Sequence, residues 1–166
     1  MATKSPYHLI FRIGGINGFG ASIGKLALYL NDSVIVVSDV FSGGLRSPAQ
    51  SRPIPPQTYQ IKAGIKGTAN SDRALVPLPG TNSFVLHHWY GIEKIDIPEA
   101  QVEWGHYRAA LNEPRKDMAP QYRGNFLHGK LRPDDYTHGC ICERSEQILQ
   151  RLWALSTQTI SLEVRA

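Results

Sequence analysis

The stretch "KLALYLNDSVIVVSDVF", residues 25–41, constrains the fold more than any other part of the chain. Leu26, Leu28 and Leu30 alternate with other residues, Asn31 and Asp32 break the run, and it resumes as Val34, Ile35, Val36 and Val37. A period of two puts successive side chains on opposite faces of an extended strand. Two such runs about an Asn-Asp pair predict an antiparallel hairpin. A chain committed to a hairpin needs more strands, and the sequence supplies them. "YHLIFRI" (7–13), "TYQIKAGI" (58–65), "FVLHHWYGI" (84–92), "QVEWGHYRAAL" (101–111), "NFLHG" (125–129) and "TISLEV" (159–164) all read as strands. A Gly-rich turn at 15–24, a Pro/Ser/Gly loop at 42–57, a long polar connection at 66–83 and a loop at 112–124 separate them. Only "SEQILQRLWALS" (145–156) has helical spacing, with Ile148, Leu149, Leu152, Trp153 and Leu155 on one face. The expected fold is mainly β, sandwich-like, with short antiparallel strands and one helix near the C-terminus.

Composition agrees. The 166 residues suit one domain, 1–166, with a core large enough to stand without disulfides. The 15 Gly and 11 Pro fit a loop-rich β protein, and 42% hydrophobic residues fit a globular one. The net charge of +4 comes without a Lys/Arg cluster interleaved with aromatics, so nucleic acid is not an expected partner. No run approaches the ~20 apolar residues of a membrane helix, so no membrane span is expected. "MATKSPYHLIFRIGG" carries one Lys and no sustained apolar run, so no Sec leader is expected and synthesis in the cytoplasm is.

The reactive side chains gather elsewhere. "HGKLRPDDYTHGCICERSEQIL" (128–149) holds both cysteines and two of the six histidines, and the helical segment follows at once. Two cysteines make no disulfide framework, so Cys140 and Cys142 are expected as thiols rather than as a disulfide. Three readings compete: a metal site, a nucleophilic cysteine with its base, or packing. A zinc site would use His128, His138, Cys140 and Cys142. Those ligand types suit zinc, but the spacing lacks the usual Cys-x₂₋₄-Cys pair. The nucleophile reading is stronger. A thiol is activated by a helix N-terminus, a nearby histidine or backbone N–H donors, and Cys140 is a candidate for all three. His128 and His138 are candidate bases, and the N–H groups of residues 139–141 are candidate oxyanion donors. Gly139 permits a sharp turn or a close approach to substrate. Thr137 reads as a turn hydroxyl that can also line a pocket. Arg108 and Tyr107 could hold a peptide carboxylate, Arg by its bidentate fork; a solvated surface Arg is as good a reading. Trp104 reads as core or pocket wall. Cys142 is expected to pack beneath the helix start. His87 and His88 alternate sides of their strand and read as structural.

These residues resemble the L,D-transpeptidases, the YkuD-like family. His128-Gly129, then Thr137-His138-Gly139-Cys140-Ile141, matches that family's histidine, spacer and Ser/Thr-His-Gly-Cys string. "VVSDVFSGG", "SRPIPPQTYQI", "WGHYRAAL" and "GNFLHG" follow the family order, so the resemblance covers roughly residues 25–155. It implies the β-sandwich-like fold of that family, Cys140 as nucleophile, His128 as general base, and the Gly129 carbonyl orienting the imidazole. It implies peptidoglycan stem peptides as substrate, with release or exchange of the fourth-position D-Ala and no metal or organic cofactor. The short spacing, twelve positions from His128 to Cys140, and "WGHYR" look most like the type VI secretion effectors of this family. That implies an antibacterial toxin acting in the periplasm of a target cell, with an inhibitor (immunity) protein as partner.

Overall fold

A computed structural model describes residues 5–44, 52–69, 75–77, 84–86, 90–117 and 125–166. His87 and His88 lie outside the described residues. The elements in chain order are β1 (Tyr7–Ile16), β2 (Ser22–Leu30), β3 (Ser33–Ser42), β4 (Thr58–Ala63), β5 (Lys66–Ala69), β6 (Leu75–Pro77), β7 (Phe84–Leu86), β8 (Ile92–Ile95), α1 (Pro98–Trp104), β9 (Tyr107–Ala110), β10 (Phe126–His128), β11 (Ile141–Cys142), α2 (Gln147–Trp153) and β12 (Gln158–Arg165). The protein is mainly β. The predicted hairpin forms as β2–β3, with Leu30 opposite Ser33 and Asn31 at φ 53 in the turn. Half of the Gly-rich segment 15–24 is strand. β1 runs on to Ile16 and pairs with β2 from Ser22, which leaves a tight turn between them.

Ten strands form one sheet in the order β4-β12-β1-β2-β3-β11-β10-β9-β8-β5, and β6 and β7 pair separately. The sheet is nearly closed. The Asn112 N–H, just past β9, donates to the Gln60 carbonyl in β4 at 2.9 Å and draws opposite parts of the sheet together. Leu9, Phe11, Leu26, Leu28, Tyr59, Ile61, Leu127, Ile141 and Leu162 fill the enclosed core, and α2 adds Ile148, Leu149 and Leu152. These are the alternate residues that the period of two selects.

Three expectations fail. Residues 66–83, read as a connection, hold β5 and β6. The strands are not all antiparallel: β1 with β12, β10 with β11, and β5 with β8 are parallel. Pairing direction depends on how the chain returns to the sheet, which periodicity does not record. There is also a second helix. "QVEW" reads as strand because Val102 and Trp104 alternate, yet α1 begins with Pro98 at its first turn and ends at Gly105. Pro inside the start and Gly past the end is the ordinary helix asymmetry. Ile97, Ala100 and Trp104 then recur at helical spacing and pack with Ala69 and Ile95.

Candidate active site

β10 and β11 are short central strands, and their register builds the site. Leu127 lies opposite Ile141, and His128 opposite Cys142. Leu127, Ile141 and Ala109 point into the main core. The intervening residues point to the other face, where Cys140, Phe126 and Ala110 pack together with Trp104 against them. Cys140 falls beside Phe126, whose N–H donates to Sγ at 3.3 Å. His128 is the next residue of β10 on that face, hence a diagonal neighbour of Cys140. The same row continues across the sheet: Phe41, Cys142, His128, Arg108 and Glu93 are successive cross-strand partners. The sheet thus brings His128, Cys140 and Arg108 to one face from three separate segments.

Trp104, at the end of α1, covers this face. Its ring meets His128 edge-on with centroids 4.8 Å apart, and Phe126 at 5.3 Å. It is a wall, as the sequence allows. Arg108 is 1% exposed, and its guanidinium lies 4.9 Å from the Trp104 ring centre and 4.4 Å from that of Phe126. Its Nη2 reaches both Glu93 oxygens at 3.4 Å. Arg108 is therefore not an open carboxylate clamp at the surface. It is a buried cation that adds positive potential at Cys140. Tyr107 does not join it. One residue earlier in β9, its side chain points to the opposite face and packs on Trp153, with centroids 5.8 Å apart. The strand period that buries Arg108 beside Cys140 takes Tyr107 away.

The thiol is not activated in the way the sequence suggests. α2 begins at Gln147, beyond a turn, and its first free N–H groups, from Ile148 and Leu149, donate to the Glu143 carboxylate at 3.0 Å each. The helix N-terminus is occupied by Glu143 rather than by Cys140. Cys140 is 7% exposed. Burial pushes its thiol up to about 11, against the opposing pull of the Phe126 N–H, Arg108 and Arg115. Burial also holds His128 down to about 4, with Lys130 and Arg108 adding to that and the Gly129 carbonyl opposing it. The resting state is a neutral thiol beside a neutral imidazole, because an ion pair here would carry the desolvation cost of both charges.

The tautomer of that imidazole is fixed. His128 Nδ1–H donates to the Gly129 carbonyl, which leaves Nε2 as an unprotonated acceptor. Gly129 also has a reason to be glycine. A Cβ there would sit 2.2 Å from Oε1 of Glu146. Glu146 is buried, and its Oε1 accepts the His106 N–H at 2.8 Å and the Tyr107 N–H at 2.9 Å, while Oε2 meets His106 Nδ1 at 2.7 Å. One carboxylate thus ties the α2 start to β9 directly above the His128 strand end.

Thr137 is a turn hydroxyl. Its Oγ1 donates to the Cys140 carbonyl at 2.6 Å and accepts the N–H groups of Gly43 at 2.8 Å and Gly139 at 3.2 Å. The Gly139 N–H is spent on that turn, so it is not an oxyanion donor. Gly139 has φ 104, a conformation that favours glycine. His138 is exposed, with its ring edge-on to Tyr136 at 6.4 Å. Cys142 is fully buried, as expected of a packed thiol, but with Ala21 and Phe41 rather than among the apolar residues of α2, and burial pushes its pKa up further than that of Cys140. Among the described residues no three His, Cys, Asp or Glu side chains converge as a metal would require.

Sequence reasoning missed the residues that brace the spacer. Lys130 is buried and its ammonium donates to the Tyr136 carbonyl at 2.6 Å and pairs with Asp134 at 2.9 Å. Arg144 spans the same loop, donating to the Arg132 carbonyl at 2.8 Å and the Asp134 carbonyl at 3.0 Å, and pairing with Asp135 at 2.7 Å. Opposite charges packed into "KLRPDD" with Arg144 downstream were the available signal. No family model, curated protein or solved structure matches the chain.

Proposed function

We propose that the protein is a cysteine acyltransferase of the L,D-transpeptidase type, acting on the stem tetrapeptides of peptidoglycan. The observation that carries this reading is His128, with its Nδ1–H held by the Gly129 carbonyl and its free Nε2 on the same sheet face as Cys140. That is the orientation a general base needs toward a nucleophile. The Cys140 proton passes to Nε2 as Sγ attacks the carbonyl of the third stem residue. The bond to D-Ala breaks, its nitrogen takes the proton from His128, and a thioester remains on Cys140. Water then releases a tripeptide, or an amine acceptor takes the acyl group. Because thiol and imidazole rest neutral, proton transfer accompanies attack instead of preceding it. Arg108 stabilises the sulfur as negative charge develops there. Trp104 keeps the face dry, which strengthens that interaction. Gly139 and the Thr137 turn hold Cys140 in place.

The resemblance to type VI secretion effectors supports delivery into a rival's periplasm and a dedicated inhibitor protein in the producer. The test is incubation of purified protein with disaccharide tetrapeptide, read by mass spectrometry. Loss or exchange of D-Ala, abolished in Cys140→Ala, is the expected result; an intact tetrapeptide at high enzyme concentration overturns the reading. Expression with and without a signal peptide tests the site of action. Toxicity only in the periplasm, and only with Cys140 present, is expected.

A further inference from the structure

Glu146 stands in the left-handed backbone region, at φ 54. Among the described residues the other non-glycine residue there is Asn31, in the hairpin turn. Asn tolerates that region in turns; Glu adopts it only where the surrounding structure holds it. The hold comes through its own side chain. The buried carboxylate accepts the His106 and Tyr107 N–H groups at 2.8 and 2.9 Å. That conformation also sets the carboxylate against Gly129. On the other side stands Gly105, where a Cβ would lie 2.5 Å from Gly129 Cα, 2.6 Å from its carbonyl carbon and 2.8 Å from Glu146 Oε1. The end of α1, the residue after β10 and the start of α2 therefore meet at one peptide, with no room for a methyl group. The Gly129 N–H is fixed as well, donating to the Tyr107 carbonyl at 3.2 Å. The carbonyl of this clamped residue is the one that accepts the His128 Nδ1–H.

We propose that Glu146 is a positioning residue for the reaction: by wedging Gly129 against Gly105 it aims the Gly129 carbonyl at His128 Nδ1, and so sets the imidazole tautomer and the direction of Nε2. An imidazole without such a partner exchanges between its two tautomers. With the proton on Nε2, that nitrogen could not accept one from Cys140. The effect on turnover rests on His128 being the general base of the proposed function, whereas the effect on the tautomer does not. Glu143 is the comparison within the same turn. It too is a buried glutamate that accepts two backbone N–H groups, but those belong to Ile148 and Leu149, so its carboxylate holds α2 rather than Gly129.

Nitrogen-15 spectra of histidine-labelled protein test this, because protonated and bare ring nitrogens resonate far apart and His128→Gln identifies the signal. Near neutral pH the parent should show His128 as the Nδ1–H tautomer alone. Glu146→Ala should give a mixture of both tautomers. Glu146→Asp, which keeps the charge and withdraws it by one methylene, should shift the same way. Glu146→Gln, which keeps the shape and an oxygen for the two N–H groups, should restore the parent spectrum. Glu143→Ala should keep the single tautomer although it melts lower. With disaccharide tetrapeptide, Glu146→Ala should lower kcat by about a hundredfold and leave KM little changed. A single Nδ1–H tautomer in folded Glu146→Ala, or in Glu146→Asp where the alanine variant does not fold, overturns the proposal. An equal mixture in Glu143→Ala also overturns it, by making the effect one of general loosening. The expected tautomers in a protein that leaves the tetrapeptide intact would uphold the positioning of His128 and overturn the proposed reaction.

Discussion

Gly129→Ala is the sharpest test of the architecture behind the candidate base. The new Cβ would meet Glu146 Oε1 at 2.2 Å and Cδ at 2.3 Å, so the carboxylate must move. Moving it breaks two hydrogen bonds from the His106 and Tyr107 N–H groups and the contact with His106 Nδ1. Hydrogen bonds to a charged group contribute about 1.5–3 kcal/mol each, so losing the two backbone bonds costs roughly 3–6 kcal/mol. That is a large share of the ~5–15 kcal/mol that holds a domain of this kind. Urea unfolding should show a correspondingly lower midpoint at unchanged slope. The clash can be isolated. Glu146→Ala should cost a similar amount by itself, and adding Gly129→Ala to it should cost little more, because the obstacle is gone. A Gly129→Ala protein within about 0.5 kcal/mol of the parent refutes the reasoning, as do two effects that simply add.

Cys140→Ala and His128→Ala should each lower turnover of the tetrapeptide by several orders of magnitude while leaving the far-ultraviolet circular dichroism intact; near-normal turnover in either removes it from the mechanism. The acid limb of kcat/KM should fall near pH 4, where buried His128 takes a proton, and a limb near 6.5 would mean an imidazole open to water. The same group contributes to stability. Its folded pKa lies below the unfolded value of about 6.5, so the unfolded chain binds more protons between these values and stability falls as pH drops from 6.5 toward 4, by up to about 3 kcal/mol. His128→Gln should flatten that slope in pH-dependent melts. Iodoacetamide should label Cys140 faster than the fully buried Cys142, and faster still as pH rises toward 11, with equal rates counting against the assignment. Cys142→Ser should stay active but lose about 1–3 kcal/mol in denaturant titrations, because a hydroxyl replaces sulfur among Ala21 and Phe41; loss of turnover in the folded variant would bring Cys142 into the chemistry.

The sequence by itself determined the β class, the β2–β3 hairpin, the core-facing alternation and the segment that holds the reactive groups. Each follows from local rules: a period of two, a turn pair, and chemistry-bearing residues close in sequence. His128, Gly129, Gly139 and Cys140 were legible for that reason, and so was the helix after them. The tertiary structure decided what lies beyond local reach. Parallel pairing of β10 with β11, which no periodicity encodes, puts Cys140 and His128 on one face. Parity within β9 buries Arg108 there and turns Tyr107 away. Glu143, only three residues after Cys140, takes the α2 N-terminus for itself. The pKa values show the difference most plainly. A cysteine before a helix and near histidines reads as a lowered thiol, but burial raises it against the pull of the Phe126 N–H, Arg108 and Arg115, because desolvation is a property of the packed face and of no residue in it.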